Sequence, residues 1–179
     1  MPATVRVWDP YVRVFHWGLV TSFAVAWFSA EDLRQVHEFA GYTAGGLIAA
    51  RLVMGIAGSR YARFSQFIRR PTRVIAYASD VVAHRERRYL GHNPLGGLMV
   101  LALIILVASV AFTGWLQTTD AYWGIEWVED LHRRLVNVMI GCVILHLAGV
   151  LVASLRHSEN LVRAMVTGVK RPPAPGDVI

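Results

Sequence analysis

The chain has 179 residues, 55% of them hydrophobic and 17% charged, with a formal net charge of +6. With a mean hydropathy of +0.42, this composition excludes an ordinary soluble domain. The single cysteine, Cys142, excludes an intrachain disulfide, and no CxxCH is present to attach a haem covalently.

In chain order, Asp9-Pro10 reads as a helix start. An Asp carboxylate caps free backbone N–H groups, and Pro fits the first helical position. A membrane-crossing helix needs roughly 20 mostly apolar residues. Four stretches meet that length, at about residues 10–30, 35–58, 94–117 and 130–156. The first continues past signal-peptide length and shows no convincing small-residue cleavage site, so it reads as a retained span. Between spans 2 and 3 lies a long, basic stretch. There, Arg70 to Arg88 reads as an amphipathic surface helix, with Pro71 in its first turn and Val74, Ile75, Ala78, Val81 and Val82 at helical spacing. Asn93-Pro94 opens span 3. Trp123 and Trp127 follow in a loop and suit an interfacial belt or a docking face. Residues 157–179 read as a short helix and then a disordered, Pro-rich cytoplasmic tail.

Charge placement sets the orientation. Arginines gather at the N-terminus, in the middle stretch (Arg60, Arg63, Arg69, Arg70, Arg73, Arg85, Arg87 and Arg88) and in the tail. The other two connections are acidic, with Glu31 and Asp32, then Asp120, Glu126, Glu129 and Asp130. The positive-inside rule puts both termini and the middle loop in the cytoplasm. The predicted fold is therefore an all-α, integral membrane four-helix bundle in one domain over 1–179. These arginines flank spans and meet anionic lipid, so no nucleic-acid partner is expected.

The histidines carry the chemistry. His16, His37, His132 and His146 sit inside or at the margins of spans, where a polar ring is expensive. His132 and His146 are 14 residues apart. That is roughly 21 Å along the helix and within about 40° of the same azimuth. Metal–imidazole bonds are only about 2 Å long, so the two rings serve two sites on one face at different depths. His37, near the outer end of span 2, matches His132. His16, early in span 1, matches His146. Two neutral imidazoles facing each other across a planar ligand is the arrangement of six-coordinate haem b. Around these pairs, Gly41 and Gly45 follow His37 on its face and allow a flat macrocycle to approach, or serve plain helix packing. Arg51 reaches the depth of the inner site. It pairs with a haem carboxylate or snorkels to the headgroups, and Arg13, Arg133 and Arg134 have the same two readings. Cys142 reads as a small buried apolar residue.

The stretches RVFHW, HEFAGYTAGGLIAARLVMG, GHNPLGGLMVLALI and DLHRRLVNVMIGCVILH resemble the bacterial cytochrome b561 and nickel-hydrogenase b-type cytochrome family over nearly the whole chain. The resemblance implies a four-helix inner-membrane cytochrome with two non-covalent b haems on the same four histidines. It implies electron transfer between the quinone pool, such as ubiquinone, and a periplasmic c-type cytochrome, a redox enzyme subunit or a small oxidant or reductant. A superoxide oxidase-like activity and a haem-bearing anchor of a larger enzyme such as a hydrogenase are both within its range. Outside the resemblance, the rival reading is a non-redox membrane protein whose four histidines are interhelical hydrogen-bond partners or a metal-transport path. A metal-transport path would need grouped ligands or acidic residues inside the spans, and the spans have neither. His92, at the inner mouth of span 3, reads as a cofactor contact or a proton donor to quinone, or as a capping residue. His157 has a similar pair of readings, and His84 reads as solvated.

Overall fold

The structure, a computed structural model, describes residues 4–58 and 63–179; Arg60 of the basic stretch lies outside them. Its elements are β1 (Val5–Arg6), α1 (Pro10–Ser29), α2 (Arg34–Ala57), α3 (Phe64–Phe67), α4 (Pro71–Val82), α5 (Pro94–Leu116), α6 (Glu126–Arg156), α7 (Leu161–Thr167) and β2 (Val169–Lys170). Among the described residues, three helices, α2, α5 and α6, are long and apolar enough to cross a membrane. α1 has 20 residues but spends several on Arg13, His16, Trp17 and Ser22, which lowers its hydropathy. The chain divides into two compact units.

The first unit holds residues 1–13, 54–101 and 144–179. Its core is Val7, Trp8, Val12, Leu90 and Ala164. β1 pairs antiparallel with β2, Val5 opposite Lys170 and Arg6 opposite Val169. Val7 and Trp8 both donate backbone N–H bonds to the Gly168 carbonyl. Both Asx-Pro starts behave as expected. The Asp9 carboxylate accepts from Val12 N at 2.9 Å, and Asn93 Oδ1 accepts from Gly96 N at 2.7 Å. The long middle stretch does hold structure of its own, α3 and α4. α4 stops at Val82, and His84 has a left-handed backbone. Val74, Tyr77, Ala78 and Val81 lie on its covered side, while Ile75 and Val82 are exposed.

Two sequence expectations are corrected. α6 begins at Glu126 rather than near residue 130, so Trp127 is helical. Glu126 and Glu129 in its first turn suit the positive end of the helix dipole. The tail is ordered rather than disordered. Buried Arg88 donates to Glu159 at 2.6 Å, to Asp177 at 2.5 Å and to the Arg171 carbonyl at 3.1 Å. Tyr89 forms a parallel bridge with Val178. A charged side chain that needs these acceptors fixes a tail whose composition alone suggested disorder.

Close approach explains one glycine in this unit. A Cβ at Gly97 would lie 2.5 Å from the Phe67 carbonyl oxygen. Backbone cannot swing aside as a side-chain tip does. We expect Gly97→Ala to cost about 1–3 kcal/mol, read as a lower thermal midpoint in detergent. An unchanged midpoint would contradict this packing.

The second unit holds residues 14–53 and 102–143. Four helical segments meet in it. α1 packs on α2, where a Cβ at Gly18 would lie 3.3 Å from Leu47. α2 packs on α5 through Gly45 and Ala111, and Tyr42 shares a 2.9 Å hydrogen bond with Thr118. The covered residues of α2 (Ala40, Ala44, Ile48 and Arg51) recur at helical spacing. The opposite surfaces are apolar and exposed, Phe39, Val53 and Ile105 among them, as a lipid-facing helix requires.

Candidate functional site

The second unit brings His37 and His132 together. Their ring centroids are 6.3 Å apart and their planes are inclined by 75°. The rings are not stacked, and they are too far apart for a direct hydrogen bond between them. Metal–imidazole bonds of about 2 Å, with each ring centre about 1 Å beyond its nitrogen, put two centres about 6 Å apart across one metal ion. The observed separation fits that span.

The hydrogen bonds assign the free nitrogens. His37 Nδ1 lies 2.8 Å from the Ala26 carbonyl oxygen. A carbonyl only accepts, so this Nδ1 carries the proton and Nε2 carries the lone pair. His132 Nδ1 lies 3.0 Å from Thr113 Oγ1. With the Thr113 hydroxyl proton given to the Ser109 or Val110 carbonyl, at 2.9 and 3.1 Å, Thr113 accepts from His132 and the same tautomer results. Each ring has a partner on Nδ1, which leaves Nε2 available to a metal, as in ligating histidines. Gly114 completes the fit. A Cβ there would lie 3.2 Å from His132 Cε1, so only glycine lets the ring rest against α5 without displacement. Thr113 is buried, at 4% exposure. The donor set fits an axially ligated haem iron.

Sequence reasoning missed Thr113, Gly114 and the Ala26 carbonyl. The available signal was a small polar residue followed by glycine in the last turn of the most apolar span. The glycines it did select divide. Gly41 has no neighbouring atom within 4 Å of a Cβ, whereas Gly45 would meet Ala111 at 3.4 Å, an ordinary packing contact. Both line an apolar groove of about 380 Å³ with Gly46, Ala108 and Trp115.

The remaining candidates are placed as follows. His16 is half-buried on α1, edge-on to Trp17 at 5.2 Å. His146 is half-buried on α6, on the covered stripe that also carries Val128, His132 and Met139. Arg51 is 3% exposed, with its guanidinium 5.8 Å from the ring centre of Phe15. Such burial is the opposite of snorkelling. In the first unit, Arg13 Nη1 donates to the Val166 carbonyl at 2.6 Å, at the negative end of α7. His92 lies between Trp8 and Phe67, at 4.7 and 4.8 Å between centroids. Arg133 is exposed and paired with Asp130, and Arg134 is exposed. Cys142 is half-buried. No group of three or more metal-ligating side chains occurs among the described residues.

The chain thus combines apolar helices of membrane-crossing length with a pair of imidazoles 6.3 Å apart between two of them. The family comparison agrees: the model of the prokaryotic cytochrome b561 family, the nickel-hydrogenase b-type cytochromes, matches residues 7–168. The chain belongs to that family, and so to the membrane b-type cytochromes that bind haem b and transfer electrons. No curated protein and no solved structure matches it.

Proposed function

We propose that this is a four-span, di-haem cytochrome of the bacterial inner membrane, with both termini and the middle loop cytoplasmic. It transfers electrons between the quinone pool and a periplasmic redox partner or small oxidant or reductant. The observation that carries the reading is the His37–His132 pair at 6.3 Å, with both Nδ1 atoms engaged. His37 and His132 would hold the outer haem. His16 and His146 would hold the inner one, a reading that rests on the sequence-depth argument and the family resemblance. α1 serves as the fourth span.

Bound between such pairs, haem b supplies one-electron redox chemistry at a potential set by its ligands and burial. The chain's own residues do the rest. The Ala26 carbonyl and Thr113 hold the ring tautomers. Gly114 and Gly41 leave room at the two rings. Buried Arg51, beside the residue preceding His16, offers a fixed fork for a haem carboxylate in a region of low dielectric.

Thr113→Val tests the ligand orientation. It keeps the shape and removes the acceptor for His132 Nδ1–H. A less electron-rich imidazole stabilises the oxidised iron less, so we expect the outer haem's midpoint potential to rise while the inner one stays. A redox titration resolving both would show this; equal potentials in wild type and variant would contradict it. The function itself is tested in proteoliposomes. Ubiquinol in the bilayer should reduce the cytochrome, and an impermeant oxidant outside should reoxidise it. Failure of every quinol tried would remove the quinone pool from the reading.

A further inference from the structure

The end of α6 carries a feature that haem ligation does not use. The helix stops at Arg156, and the chain turns through His157 and Ser158, with Ser158 at φ 48°. A left-handed residue directly after a helix is ordinarily glycine, because any side chain there is strained. Here the serine side chain lines an open hollow of about 680 Å³. Arg88, Arg156, His157, Arg171 and Asp177 complete the lining. Three arginines and one aspartate are thus among the residues that line it.

The charge is not all cancelled from behind. Arg88 forms the floor, tied to Glu159 and Asp177. Arg156 uses Nη1 for the Glu86 carboxylate and the Val81 carbonyl, each at 2.7 Å. Arg171 bonds Glu159 through its backbone N–H at 3.2 Å, and its guanidinium approaches the His157 carbonyl at 3.5 Å. Arg156 and Arg171 are therefore each tethered through one guanidinium nitrogen, and both residues line the hollow. Two arginine forks and a hydroxyl match an anion with several acceptor oxygens.

We infer that this hollow binds a phosphate-type anion. Its place at the end of a membrane-crossing helix favours the phosphodiester of an anionic lipid headgroup over free phosphate. The inference stands apart from the haem reading, since every lining residue belongs to the first unit.

The test uses full-length protein in detergent, with bound lipid followed by native mass spectrometry and the unfolding midpoint followed during titration. The probes are phosphatidylglycerol, phosphatidylcholine and inorganic phosphate. We expect phosphatidylglycerol to be retained and to raise the midpoint, and phosphatidylcholine to do neither. Arg171→Ala should weaken the phosphatidylglycerol response about fivefold, with Arg171→Lys recovering part of it. Arg73→Ala, an exposed arginine on α4, should leave it unchanged. An equal response to inorganic phosphate, lost in Arg171→Ala, supports the site with free phosphate as the ligand. No response to either anion overturns the inference, as does an Arg73→Ala effect as large as that of Arg171→Ala.

Discussion

His132→Ala is expected to lower the haem content from about two per chain to about one, leaving the remaining haem low-spin in both oxidation states. His132 sits 6.3 Å from His37 and is positioned by Thr113 and Gly114. Removing its ring leaves His37 without an axial counterpart. His146 lies 14 residues further along α6, roughly 21 Å away along the axis, so its own site should persist. The measurement is a pyridine haemochrome assay against protein concentration, with difference spectra on the same sample. Loss of both haems from protein that still folds would contradict the pairing.

Arg88→Ala is expected to release the C-terminal tail. The Arg88 side chain is 3% exposed, and those of Glu159 and Asp177 are 8% and 9% exposed. Removing the guanidinium takes the cation shared by two buried carboxylates, and breaking such a buried pair typically costs about 3–5 kcal/mol. Amide exchange over residues 169–179 should accelerate strongly while exchange in α2, α5 and α6 is unchanged; an equally protected tail would contradict this role. Acid should act in the same direction. Burial alone would raise the Glu159 carboxyl, but its Arg88 hydrogen bond and the nearby Lys170 outweigh that and hold it below its ordinary value. Asp177 is likewise lowered, with the Ala174 N–H and Arg88 outweighing burial. A carboxyl lowered in the folded state stabilises that state at neutral pH. This contribution is lost as the pH falls through the folded values, below about pH 4.

What the sequence made legible was local or periodic. Asp9-Pro10 and Asn93-Pro94 announce helix starts because the cap and its donor lie within one turn. His132 and His146 share a stripe because helical geometry fixes their azimuth. The pairing of His37 with His132 was reachable because depth in a membrane orders residues of different helices along one axis. The orienting partners were not legible. Thr113 and the Ala26 carbonyl lie on other helices from the rings they hold, and nothing in their own neighbourhoods marks them as acceptors for imidazole. The tail failed for a related reason. Residues 169–179 are Pro-rich, and what orders them is Arg88, some 80 residues upstream. Arg13 shows the limit of reading a charge by its nearest neighbour. It stands one turn from His16, yet its guanidinium is bonded to the end of α7.

The central claim is that four histidines on this chain hold two b haems. The most direct test is haem stoichiometry on detergent-purified wild-type protein, by pyridine haemochrome with dithionite-reduced minus oxidised spectra. The account predicts about two non-covalent b haems per chain, both low-spin and both six-coordinate. A folded chain that carries one haem, or none, contradicts it.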